Sequence, residues 1–83
     1  MKALKFSASW CGPCKMLATV IANAGDKITV PIENIDIDEN QEKAVQYGIR
    51  GVPTMVIVDD SGNEVTRKTG MMNESQLLEF LKG

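Results

Sequence analysis

Apolar and polar positions along this chain change period several times, and each change marks an element. Ala3 to Ser7 is a short apolar run that reads as a strand. From about Pro13 to Ala24 the apolar residues Leu17, Val20, Ile21 and Ala24 fall at i, i+3, i+4 and i+7, a helical stripe. Gly25 is the expected stop. Ile28 to Val30 and Ile32 to Ile37 are strand-like, with a bend or bulge expected near Pro31 because the alternation changes phase. Asn40 is placed to cap a short helix over Gln41 to Tyr47, with Gly48 after it. Met55 to Val58 is uninterruptedly apolar, the pattern of a strand covered on both faces. Asp59 to Asn63 is turn chemistry. Glu64 to Lys68 alternates like an edge strand. Asn73 and Gln76 have capping-box spacing before a last helix whose buried side is Leu77, Leu78 and Leu81.

Strand, helix, strand, helix, strand, hairpin, strand, helix is an α/β order. A helical crossover between the first two strands makes them parallel; the last two form an antiparallel hairpin. The chain has 83 residues, 43% of them hydrophobic, which fits one domain over 1–83. The net charge is -2 with acids and bases intermixed, unlike the basic face of a nucleic-acid binder. No apolar run is long enough to span a bilayer. Met1-Lys2 leads straight into strand-like sequence, so no signal peptide and a cytoplasmic location are expected. The same features lead us to expect a monomer with no nucleic-acid or membrane partner.

The chemistry is concentrated in Trp10-Cys11-Gly12-Pro13-Cys14-Lys15. Both cysteines lie there, Cys11 at the start of the helical pattern and Cys14 about one turn inside. Backbone N–H groups at a helix start lack intrahelical partners, and the peptide dipoles add partial positive charge. A thiolate at Cys11 gains from both, so its pKa is expected below that of a free thiol. Pro13 suits the first turn, and Gly12 lets another chain come close. Cys11 is thus the candidate nucleophile and Cys14 the deeper, resolving thiol. Two duller readings compete. Half of a zinc site would need two more ligands, and the chain has no histidine and no second cysteine pair. A purely structural disulfide here would close a very small loop and remove little chain entropy.

The motif resembles the active site of thioredoxins. Tyr47-Gly48-Ile49-Arg50-Gly51-Val52-Pro53-Thr54 resembles that family's second signature, which ends in a cis-proline facing the dithiol. Thr69-Gly70-Met71 stands where the family has a substrate-groove loop. The similarity runs from about Leu4 to the C-terminus. It implies a thioredoxin-like fold: a four-stranded mixed sheet flanked by three helices, without the strand and helix with which the family usually begins. It also implies a cis bond at Pro53 and a strand-like contact from the Val52 backbone to a partner peptide. The implied activity is protein-disulfide reduction through a Cys11–Cys14 dithiol, with no bound cofactor. Partners would be protein disulfides and an NADPH-linked flavoenzyme such as thioredoxin reductase. Two alternatives stand beside it. One is a glutaredoxin-like oxidoreductase served by glutathione or another small thiol. The other is a non-redox binding subunit of a larger assembly.

Trp10 is expected to cover the sulfurs and offer contact area. Met16 and Met55 lie in apolar runs and are expected in the core; Met71 and Met72 are expected as adaptable contact surface. The departures from the family are Lys5 where it has a buried aspartate, Asn34 for a lysine, Ser7 for an aromatic and Thr19 for a proline. Lys5 is expected either to reach water or to pair with Asp36 or Glu33 on the neighbouring strand. Near the sulfurs it would tune their pKa.

Overall fold

Strand β1 (Lys2–Ser7) is central because four of its six residues are buried. The structure, a computed structural model, describes residues 1–82. After β1 come α1 (Gly12–Ala24), a 3-10 turn (Gly25–Lys27), β2 (Ile32–Asp36), α2 (Gln41–Gln46), β3 (Thr54–Val58), β4 (Glu64–Thr69) and α3 (Glu74–Leu81). The sheet order is β2-β1-β3-β4. β1 pairs in parallel with β2, from Ala3 opposite Ile32 to Ser7 opposite Asp36. It pairs antiparallel with β3, from Lys2 opposite Val58 to Phe6 opposite Thr54. β3 and β4 form the hairpin.

Alternate side chains of a strand point to opposite faces, which divides the core in two. On one face Ala3, Met55 and Ile57 pack with Leu17 and Ala24 of α1, Leu77 and Leu81 of α3, and Met72. On the other, Leu4, Phe6, Ile35, Val56 and Val58 pack with Tyr47, Ile49 and Val52. Covered on both faces, β3 is buried along its whole length, as its apolar run predicts. β4 is exposed throughout and forms one edge of the sheet; β2 forms the other.

Local chemistry sets the boundaries. Pro13 sits in the first turn of α1, and Gly25, with φ 49°, ends the helix while donating its N–H to Ile21 O. Asn73 and Gln76 make the reciprocal capping box at α3, with bonds of 2.8 and 2.9 Å.

Two local expectations are corrected, and a third is narrowed. Ile28–Val30 is not a strand: Ile28 N–H closes the 3-10 turn on Gly25 O, and β2 begins at Ile32. Of the bend or bulge expected near Pro31, the chain makes the bend, at Val30, while pairing of β2 with β1 is unbroken and there is no bulge. Ile32 and Ile35 simply lie three residues apart and therefore face opposite sides. The irregularity falls in the hairpin instead. Ile57 faces Thr66 and Val58 faces Glu64, which leaves Val65 extra. Lastly, Asn40 precedes α2 but its side chain caps nothing. Asp36 takes over that region, its Oδ1 accepting from the N–H groups of Asp38 and Glu39 at 2.8 and 3.3 Å.

Candidate active site

The turn leaving β1 places Cys11 at the N-cap of α1, in extended backbone conformation. Its Sγ accepts the Cys14 N–H at 3.1 Å, so one orphan donor of the helix start is satisfied by sulfur. Cys11 and Cys14 are joined as a disulfide, with Cα atoms 5.2 Å apart. The sulfurs rest in a small apolar cluster with Ala8, Ile37 and Val52. The Val52 carbonyl oxygen lies 3.7 Å from Cys11 Sγ. Val52 leads into Pro53 through a cis bond, and Pro53 is fully buried. The second sequence signature is thus folded against the first.

The groove loop is tied to the same place. Gly70, with φ 100°, donates its N–H to Pro53 O at 2.8 Å. Only glycine takes that backbone conformation without strain, and the bond holds the end of β4 beside the proline. Thr69 Oγ1 meets Thr54 Oγ1 at 3.3 Å one residue earlier. Met71 follows and is partly exposed. The expected groove residues Val52, Pro53, Thr69 and Gly70 are therefore brought together, with Met71 next in the chain. On the other side, Gly12, Pro13 and Lys15 are exposed. A side chain at Gly12 would meet nothing within 4 Å, so the approach to the dithiol is open there.

Trp10 is 68% exposed and is not a core aromatic. Its Nε1–H donates to Asp38 Oδ2 at 3.0 Å, which fixes the ring beside the dithiol loop. Asp38 was invisible as a site residue in the sequence; the only signal was an acid just after the strand parallel to β1.

A family model for thioredoxin matches residues 2–83. The chain belongs to the thioredoxin family. It is 41% identical over 76 residues to the thioredoxin of Pseudomonas aeruginosa, covering 89% of this chain and 69% of that one. To the thioredoxin of Bacillus subtilis it is 41% identical over 80 residues, covering 92% and 74%. Among solved structures, a point-mutant thioredoxin from Halobacterium salinarum superposes with a TM-score of 0.86 at 39% identity, over 96% of this chain and 70% of that one. Fasciola hepatica thioredoxin gives 0.82 at 38% identity, over 96% and 76%. With the disulfide-bonded pair at the start of α1, the protein is a thiol-disulfide oxidoreductase.

Three expectations change, and a fourth is decided between its two alternatives. Cys11 and Cys14 are 4% and 3% exposed, so the disulfide form does not show one open and one buried sulfur. Met16 is 59% exposed, because it lies off the helix stripe of Cys14, Leu17 and Ala24. Met72 is 1% exposed and belongs to the α1/α3 core, not to a contact surface. Of the two fates expected for Lys5, pairing is absent among the described residues, while its Nζ is not a buried unpartnered atom and so keeps contact with water. Glu33 adjoins Leu4 in the register and so points to the opposite face; it bonds Lys2 and Lys43 at 2.8 and 3.2 Å. Asp36 shares the face of Lys5, but its carboxylate is bound to the turn after β2. Burial holds the Lys5 ammonium below its ordinary pKa.

Among the described residues there is no group of side chains that could hold a metal ion. No helix among them is long and apolar enough to cross a membrane.

Proposed function

We propose that this chain is a protein-disulfide reductase in which Cys11 is the nucleophile and Cys14 the resolving thiol. The observation that carries the reading is the Cys14 N–H aimed at Cys11 Sγ from the first turn of α1. In the reduced protein the same donor and the helix dipole would favour a Cys11 thiolate. That thiolate attacks a disulfide of the partner and forms a mixed disulfide, expelling one partner sulfur as thiolate. Cys14 loses its proton and attacks Cys11 Sγ. The second partner sulfur leaves, and the Cys11–Cys14 bond remains. Two electrons pass to the partner, and the chain ends oxidised.

The surroundings suit a protein partner. Trp10 and Met71 present exposed apolar surface, and the Val52 backbone borders the sulfur where an extended peptide would lie. Gly12 leaves room for its backbone. Electrons would return from a flavoenzyme of the thioredoxin reductase kind, drawing on NADPH. In this reading residues 1–83 act as one unit, a monomer in the cytoplasm, with no cofactor beyond the dithiol itself.

The test is insulin reduction, followed by turbidity, with thioredoxin reductase and NADPH, then with glutathione and glutathione reductase. Turnover with the first system alone supports the proposal. Turnover with glutathione alone would transfer the protein to the glutaredoxin-like reading. Turnover with neither, with function in the cell retained by Cys11→Ser, would point to a binding subunit.

A further inference from the structure

β3 is buried from end to end, and Thr54 is the one polar residue in it. It is 2% exposed. Valine has nearly the same shape and would fill the position with no polar atom to satisfy. What threonine adds is a hydroxyl with two partners. Thr54 Oγ1 lies 2.7 Å from Gly51 O and 3.3 Å from Thr69 Oγ1, the residue opposite it across the hairpin. A hydroxyl has one proton to give, and a carbonyl can only accept. The Thr54 proton therefore goes to Gly51 O, and Thr69 gives its own to Thr54 Oγ1. The two bonds run in series from the end of β4 to the loop before β3, and each polarises the other.

The loop they reach lies against the dithiol. Gly51 is exposed and has no side chain, so its backbone is the freest in the loop unless something holds it. The relay holds its carbonyl. On the far side of Val52, Pro53 O accepts the Gly70 N–H at 2.8 Å. Both carbonyls flanking Val52 are thus fixed, and Val52 itself is left open. Its N–H makes no hydrogen bond among the described residues, and its C=O faces Cys11 Sγ at 3.7 Å. A donor and an acceptor with fixed directions therefore stand beside the sulfur.

We propose that the Thr69–Thr54 hydroxyl relay is a positioning device for protein substrates, holding the Gly51–Val52 peptide so that the Val52 N–H and C=O are set to pair with the backbone of an extended partner segment. This deepens the reading of the chain as a protein-disulfide reductase and rests on it. Both threonines act through Val52, and neither exchanges protons or electrons with the sulfurs. The device favours disulfides carried on a peptide backbone and gives nothing to a small disulfide that has none.

Two substrates tell these apart. Insulin reduction is measured in steady state with thioredoxin reductase saturating. Dithiobis(nitrobenzoate), a disulfide with no backbone, is mixed with the pre-reduced protein and its thiolate release followed by absorbance. Thr54→Val should raise the KM for insulin about three- to tenfold with kcat nearly constant, and leave the rate with the small disulfide unchanged. Thr54→Ser keeps the hydroxyl and should keep a KM close to that of the parent. Thr69→Val removes only the outer bond, from an exposed residue, and should raise the KM about two- to threefold. An insulin KM equal to the parent's in the valine variants would overturn the proposal. Equal losses on both substrates would overturn it too, because they mark damage to the dithiol and not to backbone pairing. Should Thr54→Val not fold, Thr69→Val decides by the same two readings. The unaltered chain separates this claim from the one beneath it. If it reduces insulin while the variants match it, only the relay's role falls; if it does not reduce insulin, the protein-disulfide reductase reading has failed as well.

Discussion

Trp10 Nε1–H reaches 28 residues along the chain to Asp38 Oδ2, at 3.0 Å. The bond ties the dithiol loop to the segment that follows β2. It fixes a large aromatic surface in the open, where a flexible ring would lose rotational freedom on binding a partner. An exposed indole with a held orientation is preorganised contact area.

Asp38→Ala should free that ring. The exposed bond contributes little to folding, so stability should change by about 1 kcal/mol or less. The KM for a protein disulfide should rise about three- to tenfold, with kcat nearly constant, because binding and not chemistry is weakened. Steady-state kinetics together with Trp10 fluorescence anisotropy checks this. A KM equal to that of the parent protein would remove the role given to Asp38.

The order of the two thiols has its own signature. Cys14→Ser should accumulate mixed disulfides with partner proteins, since the resolving attack is gone. Cys11→Ser should trap none and lose turnover. Non-reducing gels and mass spectrometry read both variants. Trapping through Cys14 in the Cys11→Ser variant would reverse the assignment.

Leu17 and Met16 are adjacent in α1 but opposite in burial, 0% and 59% exposed. Leu17→Ala removes side-chain volume from the α1/α3 core and should cost about 2–5 kcal/mol. Met16→Ala should change stability by about 0.5 kcal/mol or less. Urea unfolding of the oxidised proteins distinguishes them, and comparable losses would contradict the packing described.

Glu33 sits between Lys2 and Lys43, whose hydrogen bonds hold its carboxyl below the usual value of 4.5. A depressed carboxylate pKa stabilises the fold above the unfolded value, and that contribution is lost as pH falls through the folded value. Glu33→Gln should therefore be less stable than the parent at pH 7, by no more than about 1 kcal/mol because the pair is exposed. The gap should close below pH 4.5 and shrink in high salt. Thermal melts from pH 3 to 7 measure it, and a gap that widens toward acid would reverse the sign.

What the sequence disclosed was what local rules govern. Cys11, Cys14 and Pro13 at a helix start, the Asn73 and Gln76 box, and the two-sided burial of Met55 to Val58 all follow from neighbours in the chain. What it hid depends on register and on partners far away. An apolar run does not say which methionine points inward, so Met16 lies outside the core expected for it and Met72 inside. Lys5 and Glu33 occupy neighbouring strands, but alternation sends them to opposite faces. Asp38 became part of the site only when parallel pairing brought the end of β2 beside Trp10. The equal burial of Cys11 and Cys14 in the disulfide-bonded protein is set by what packs over them, Ala8, Ile37 and Val52, which the spacing of the cysteines does not specify.

The most direct measurement is the titration of Cys11 in the reduced protein, by thiolate absorbance and by the pH dependence of alkylation with iodoacetamide. The expected midpoint lies at least about one unit below the ~8.5 of an ordinary thiol, with Cys11 modified ahead of Cys14. A midpoint at or above that value, with both cysteines equally slow to react, would contradict the assignment of Cys11 as the attacking sulfur.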